Sequence, residues 1–126
     1  MTIDECVIRV DKIIENDIDP EEKVRWLSVL DGLIWQNVMR PHEDGATFSE
    51  YDWADDKDKT LLVPFPYDEM YYHWLCCKIY LARREVDLYN NAAELYGKYY
   101  HDFAQWYNRE HPVGNDGLRF KNYRME

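Results

Sequence analysis

The chain has 126 residues, 46% of them hydrophobic and 16% aromatic, enough for one domain with its own core and too few for two ordinary ones. Lys and Arg number 15 against 25 Asp and Glu, and the formal charge of −10 opposes sequence-independent binding to a nucleic-acid backbone. No run of 18 apolar residues is present, and the start Met1-Thr2-Ile3-Asp4-Glu5 lacks the layout of a secretory signal, so no membrane partner is expected and synthesis in the cytoplasm is.

Thr2 and Glu5 have the spacing of a capping box, and Ile3, Val7, Val10 and Ile14 follow at helical intervals, which predicts a first amphipathic helix from residue 2 to about 16. A second helix is announced by Asp19-Pro20-Glu21-Glu22, with an N-cap side chain, proline at the first helical position and acid in the first turn. Pro41 should stop it near Arg40. Between these limits Val24, Leu27, Leu30 or Asp31, Ile34 and Val38 trace one face, and Trp26, Leu33 and Trp35 widen it, so this helix should meet more than one neighbour. Residues 41–60 form an acidic connector with Glu43, Asp44, Glu50, Asp52, Asp55, Asp56 and Asp58, expected to stay out of the core, although Phe48, Tyr51 and Trp53 argue against simple disorder.

The stretch Leu61, Leu62, Val63, Pro64, Phe65, Pro66 is apolar and twice prolined, so it should be extended and ill suited to a central sheet strand. It is either an assembly contact or a loop folded onto its own helices. Helix resumes at Tyr67 or Asp68 and should run to about residue 83, with Tyr71, Trp74, Leu75 and Ile79 on its apolar side. A fourth helix, over residues 85–109, carries Tyr89, Ala92, Tyr96, Tyr99, Phe103 and Trp106 in steps of three and four. The short joint between these two predicts an antiparallel hairpin, and the seam reads as intramolecular core in preference to a dimer zipper. After Pro112 comes the turn-rich Gly114-Asn115-Asp116-Gly117, and then Leu118, Phe120 and Tyr123 fall among Arg119, Lys121 and Arg124. This alternation suits an extended tail pairing along another subunit, with a frayed terminus as the other reading. The expected architecture is therefore all-α: a four-helix bundle over residues 1–111, with a loop at 41–66 between helices two and three, a long helical hairpin, and an extended tail at 112–126.

The sequence offers little chemistry. Cys6, Cys76 and Cys77 have no CxxC spacing and read as buried small hydrophobes. His42, His73, His101 and His111 lack the spacing of a metal site on one helix face, and the cluster Asp52, Asp55, Asp56, Asp58 places Leu61 where a calcium loop needs glycine. Neither serine lies in a nucleophile motif, and the five glycines form no phosphate loop or dinucleotide fingerprint. No catalytic, cofactor-binding or metal residue is assigned, and a non-enzymatic role is expected. The charge is uneven: residues 1–69 hold 18 acidic and 7 basic side chains (−11), residues 70–126 hold 7 and 8 (+1).

Four pieces carry a resemblance: Lys23-Val24-Arg25-Trp26-Leu27-Ser28-Val29-Leu30-Asp31-Gly32, Leu61-Leu62-Val63-Pro64-Phe65-Pro66-Tyr67-Asp68-Glu69, Tyr89-Asn90-Asn91-Ala92 and Trp106-Tyr107-Asn108-Arg109. In order and spacing they resemble the head-tail connector (adaptor) proteins of tailed phages and prophages of Gram-positive bacteria, across most of residues 20–111. The resemblance implies a helical subunit whose copies form a ring beneath the portal protein, extend the DNA channel and receive the next tail or stopper protein, hence a place in the virion after assembly in the host cytoplasm. It implies interface roles for residues 61–66 and, with less support, for Leu118, Phe120 and Tyr123. An acidic front half on such a ring would discourage passing duplex from sticking. Specific nucleic-acid binding is not implied. The other functional reading is an acidic phage-encoded regulatory module that mimics DNA and inhibits a basic host protein.

Overall fold

The computed structural model describes residues 1–42 and 47–111; Glu43 and Asp44 of the connector, and the tail with Leu118, Phe120 and Tyr123, lie outside the described residues. The first helix, α1 (Ile3–Ile13), opens with the expected capping box: Thr2 Oγ1 accepts from the Glu5 amide while Glu5 accepts from the Thr2 amide. It ends three residues earlier than the periodicity indicates. Ile14 has already turned extended, and Asn16 closes the corner by donating to the Ile14 carbonyl and accepting from the Ile18 amide.

The second helix, α2 (Pro20–Ile34), starts behind Asp19 with proline in its first turn. The Asp19 side chain caps nothing; its backbone carbonyl receives the Glu22 and Lys23 amides instead. Helical winding continues through a π segment, Trp35–Met39, and a 3₁₀ turn, Arg40–His42, so the rod ends close to where Pro41 predicts. Lys23 lies on the inner face, 1% exposed, and its ammonium donates to Asp11 Oδ1 at 2.6 Å and to the Ile18 carbonyl at 2.9 Å. It spans the α1–α2 corner from inside.

The connector is less excluded from the body than its charge suggests. Tyr51 is buried, Phe48 and Trp53 pack partly against the core, and a short helix, α3 (Trp53–Asp56), sits in its acidic middle. The amino-terminal strand-like residues then pair with its end: Thr2 bridges Thr60, the Ile3 amide donates to the Lys59 carbonyl, and the Leu61 amide donates to the Met1 carbonyl, both at 3.0 Å.

The hairpin consists of α4 (Glu69–Ala82) and α5 (Val86–Glu110). Arg84, at φ 59°, makes the turn: its amide donates to the Leu81 carbonyl and the Glu85 amide reaches back to Tyr80. This is a Schellman closure with arginine where glycine is usual. Apolar nearly all round, α4 occupies the middle, in contact with α1, α2 and α5. Ile3, Val10, Leu27, Leu30, Ile34, Met70, Leu75 and Ile79 are at most 1% exposed and form the centre of the core. The α5 seam packs within the chain, with Tyr96 against Trp74, Tyr99 stacked on His73, and Phe103 and Trp106 around Tyr67. The described chain is all-α, with no strand among the described residues.

Candidate functional site

Residues 61–66, expected as one contact surface, divide into two parts. Leu61 and Val63 are 3% and 1% exposed and belong to the core, and Leu62 is half-buried between them. Pro64, Phe65 and Pro66 stand outside, with Phe65 85% exposed. In the folded chain the side chains of Leu61 and Val63 are thus taken up by its own interior, and the exposed part of the stretch is Pro64, Phe65 and Pro66.

The division has a polar cause. Asp31 falls on the inward face of α2 and is fully buried, and both the Tyr51 and the Tyr71 hydroxyls donate to its carboxylate. Its Oδ2 also accepts from the Leu62 amide at 3.1 Å, while Tyr71 Oη accepts from the Val63 amide at 2.8 Å. Ser28, one turn earlier on α2, accepts the Tyr51 amide at 3.0 Å. Two backbone donors of an irregular segment thus find acceptors inside the protein, which an extended stretch without a strand neighbour requires. Burial raises the Asp31 pKa, and the bonds from Tyr51, Tyr71 and Leu62 oppose the rise. The same burial, with Asp31 nearby, pushes the Tyr51 and Tyr71 hydroxyls up. The node sets a buried carboxylate among three donors and works as a fastener.

Beyond the node the chain turns outward. The Asp68 amide donates to the Pro64 carbonyl at 3.1 Å, closing a tight corner at whose tip Phe65 projects between two prolines. Glu69, in the first turn of α4, is gripped by both guanidinium nitrogens of Arg9, and the same guanidinium lies 4.7 Å above the Tyr72 ring. The hydrogen bonds from Arg9 hold the Glu69 carboxyl below its ordinary range. The corner is therefore mounted on a helix start that α1 clamps from the other side.

The other candidate groups are dispersed. Cys6, Cys76 and Cys77 are free and buried, and burial raises the thiol pKa of each, Cys77 to about 11. His73 is stacked on Tyr99 and its pKa is lowered by burial, His101 is exposed, and His111 is stacked on Tyr107. Among the described residues no three His, Cys, Asp or Glu side chains converge to hold a metal ion, and no helix is long and apolar enough to cross a membrane. Sequence reasoning placed Asp31 on the apolar face of the second helix without giving it a role, and it did not foresee a buried Lys23. Asp31 gave a signal, since an acid shares the apolar stripe of α2; Lys23 gave none, because a lysine beside Glu22 reads as solvated.

Comparison with known proteins returns no family model, no curated protein and no solved structure that matches this chain.

Proposed function

We propose that this chain is a non-enzymatic assembly subunit of a tailed-phage particle, a head-tail connector whose copies form a ring on the portal protein and receive the next tail or stopper protein. In this reading α1, α2, α4 and α5 are the four-helix body of the subunit and the prolined corner at residues 64–66 is its contact point. The observation that carries it is Phe65: a large aromatic side chain left 85% exposed on a proline-fixed corner, while Leu61 and Val63 on either side of Leu62 are buried. Aromatic anchors on rigid supports are what protein interfaces use, because little side-chain freedom is lost on docking. The order and spacing of the four resembling segments support the same reading. Assembly would take place in the host cytoplasm and leave the protein in the virion.

The test is composition. Particles purified from the phage or prophage that encodes this chain should contain it in near-equal number with the portal protein by quantitative peptide mass spectrometry, and Phe65→Asp should remove it from them. Intact particles lacking the chain would overturn the proposal. Exposed Glu50, Asp52, Asp55 and Asp58 on the connector favour a second reading, an acidic module that inhibits a basic host protein. Tight binding to such a protein, weakening steeply between low and physiological salt, would move that reading ahead.

A further inference from the structure

The end of the body at which α4 passes into α5 carries apolar surface that the described chain leaves uncovered. Of the nine large hydrophobic side chains exposed among the described residues, Ile13, Leu81, Val86 and Leu88 lie at this end, each about half exposed or more. Ile13 is brought here because Arg83, next after α4, donates to the Glu15 carbonyl just beyond α1. Two adjoining hollows share Tyr80 and Glu85. The larger, shallow and about 710 Å³, has Ile13 and Leu88 beside Glu15, Asp17 and Arg83; the smaller, about 40 Å³, lies among Leu81, Val86, Arg84 and Tyr89. Contiguous aliphatic surface edged with charge marks a protein–protein contact.

The charges at this end fit a second copy of the chain better than a partner of one sign. A formal charge of −10 keeps whole copies apart, but the two hollows set Arg83 and Arg84 against Glu15, Asp17 and Glu85, two cations and three carboxylates, a local balance of −1. Repulsion between copies is therefore small here. Asp17 edges the larger hollow and Arg84 the smaller, so they stand on opposite sides of the shared Tyr80 and Glu85. Both are exposed, and neither makes an ion pair among the described residues. A two-fold axis through the shared residues exchanges the two sides and brings Arg84 of each copy against Asp17 of the other. Phe65 takes no part in this end: it precedes α4, whose 14 residues rise about 20 Å before the turn is reached.

We propose that this end is a two-fold self-association surface, on which Leu81 and Val86 of each copy cover Ile13 and Leu88 of the other while Arg84 pairs with Asp17 across the axis. Such a contact uses the same patch on both copies, so it closes at two and offers nothing to a third. It involves neither the prolined corner nor the acidic connector and stands apart from the portal reading.

The test is sedimentation of the full chain across a wide range of concentration. Expected is a reversible shift from the mass of one chain to that of two. Val86→Asp, in the first turn of α5 where an aspartate suits the helix, should keep the thermal transition and weaken the association several-fold. Arg84→Asp, a residue that tolerates the left-handed backbone, and Asp17→Arg should each weaken it, and the two together in one chain should restore it. Phe65→Asp should leave it unchanged. A single-chain mass at every concentration or growth beyond two chains overturns the proposal. So does an association that survives Val86→Asp, one that is lost in Phe65→Asp, or a double reversal that restores nothing.

Discussion

Asp31 decides how the connector sits. Three donors converge on its buried carboxylate, so Asp31→Ala leaves two tyrosine hydroxyls and the Leu62 amide without their acceptor in the interior. The expected loss is about 3 kcal/mol, read from the urea midpoint at constant slope. The pH dependence has a definite sign. The ordinary Asp31 value is 3.8 and burial raises it in the folded protein, so between that value and the folded one the native state keeps a proton that the unfolded chain has released. Stability should therefore fall as pH rises through this window, and Asp31→Asn should remove that component of the slope. Glu69 contributes with the opposite sign: its carboxyl is depressed by Arg9, so its contribution is present above the unfolded value of 4.5 and is lost as pH falls through the folded value. The two neighbouring positions in the prolined segment separate equally sharply. Val63→Asp puts a charge into a 1% exposed site and should cost at least about 3 kcal/mol, whereas Phe65→Asp at 85% exposure should stay within about 0.5 kcal/mol by thermal unfolding.

At the scale of elements, the termini of the helices test the local rules. Arg84 occupies a left-handed conformation that costs an L-residue with a Cβ, and the turn it makes is the only joint of the hairpin. Arg84→Gly should raise stability by about 1 kcal/mol, a gain visible as a higher urea midpoint. Thr2→Ala removes a cap whose two bonds are both formed and should cost about 1 kcal/mol, while Asp19→Ala, which loses no cap bond, should cost less by the same assay. The helices were legible because their signals are local: period, caps and prolines placed α1, α2, α4 and α5 within a few residues. The early end of α1 and the absent Asp19 cap were not, since Asn16 closes the corner and the Asp19 carbonyl makes its own bonds. The short α3 escaped notice because Trp53-Ala54-Asp55-Asp56 is too brief to show a period.

For the whole molecule, the question is which apolar surface is left over once the helices have packed. Composition and periodicity by themselves determined an all-α protein with one core, the aromatic α4–α5 seam, and an acidic front half, because side-chain spacing and net charge are properties of the chain before it folds. Tertiary structure decided the rest of the candidate site. An apolar run with two prolines has the same sequence whether its side chains meet a partner or its own interior, and the outcome depends on acceptors supplied from far away, Asp31 on α2 and Tyr71 on α4. Those acceptors draw Leu61 and Val63 inward and leave Phe65 outside. The same non-local packing buries Lys23 against Asp11 and lays residues 47–53 along α2, where the Tyr51 amide donates to Ser28. Burial depends on neighbours brought together across the fold, whereas helical period is written in adjacent turns; so the helices were readable in the sequence, and the exposed corner existed only after packing.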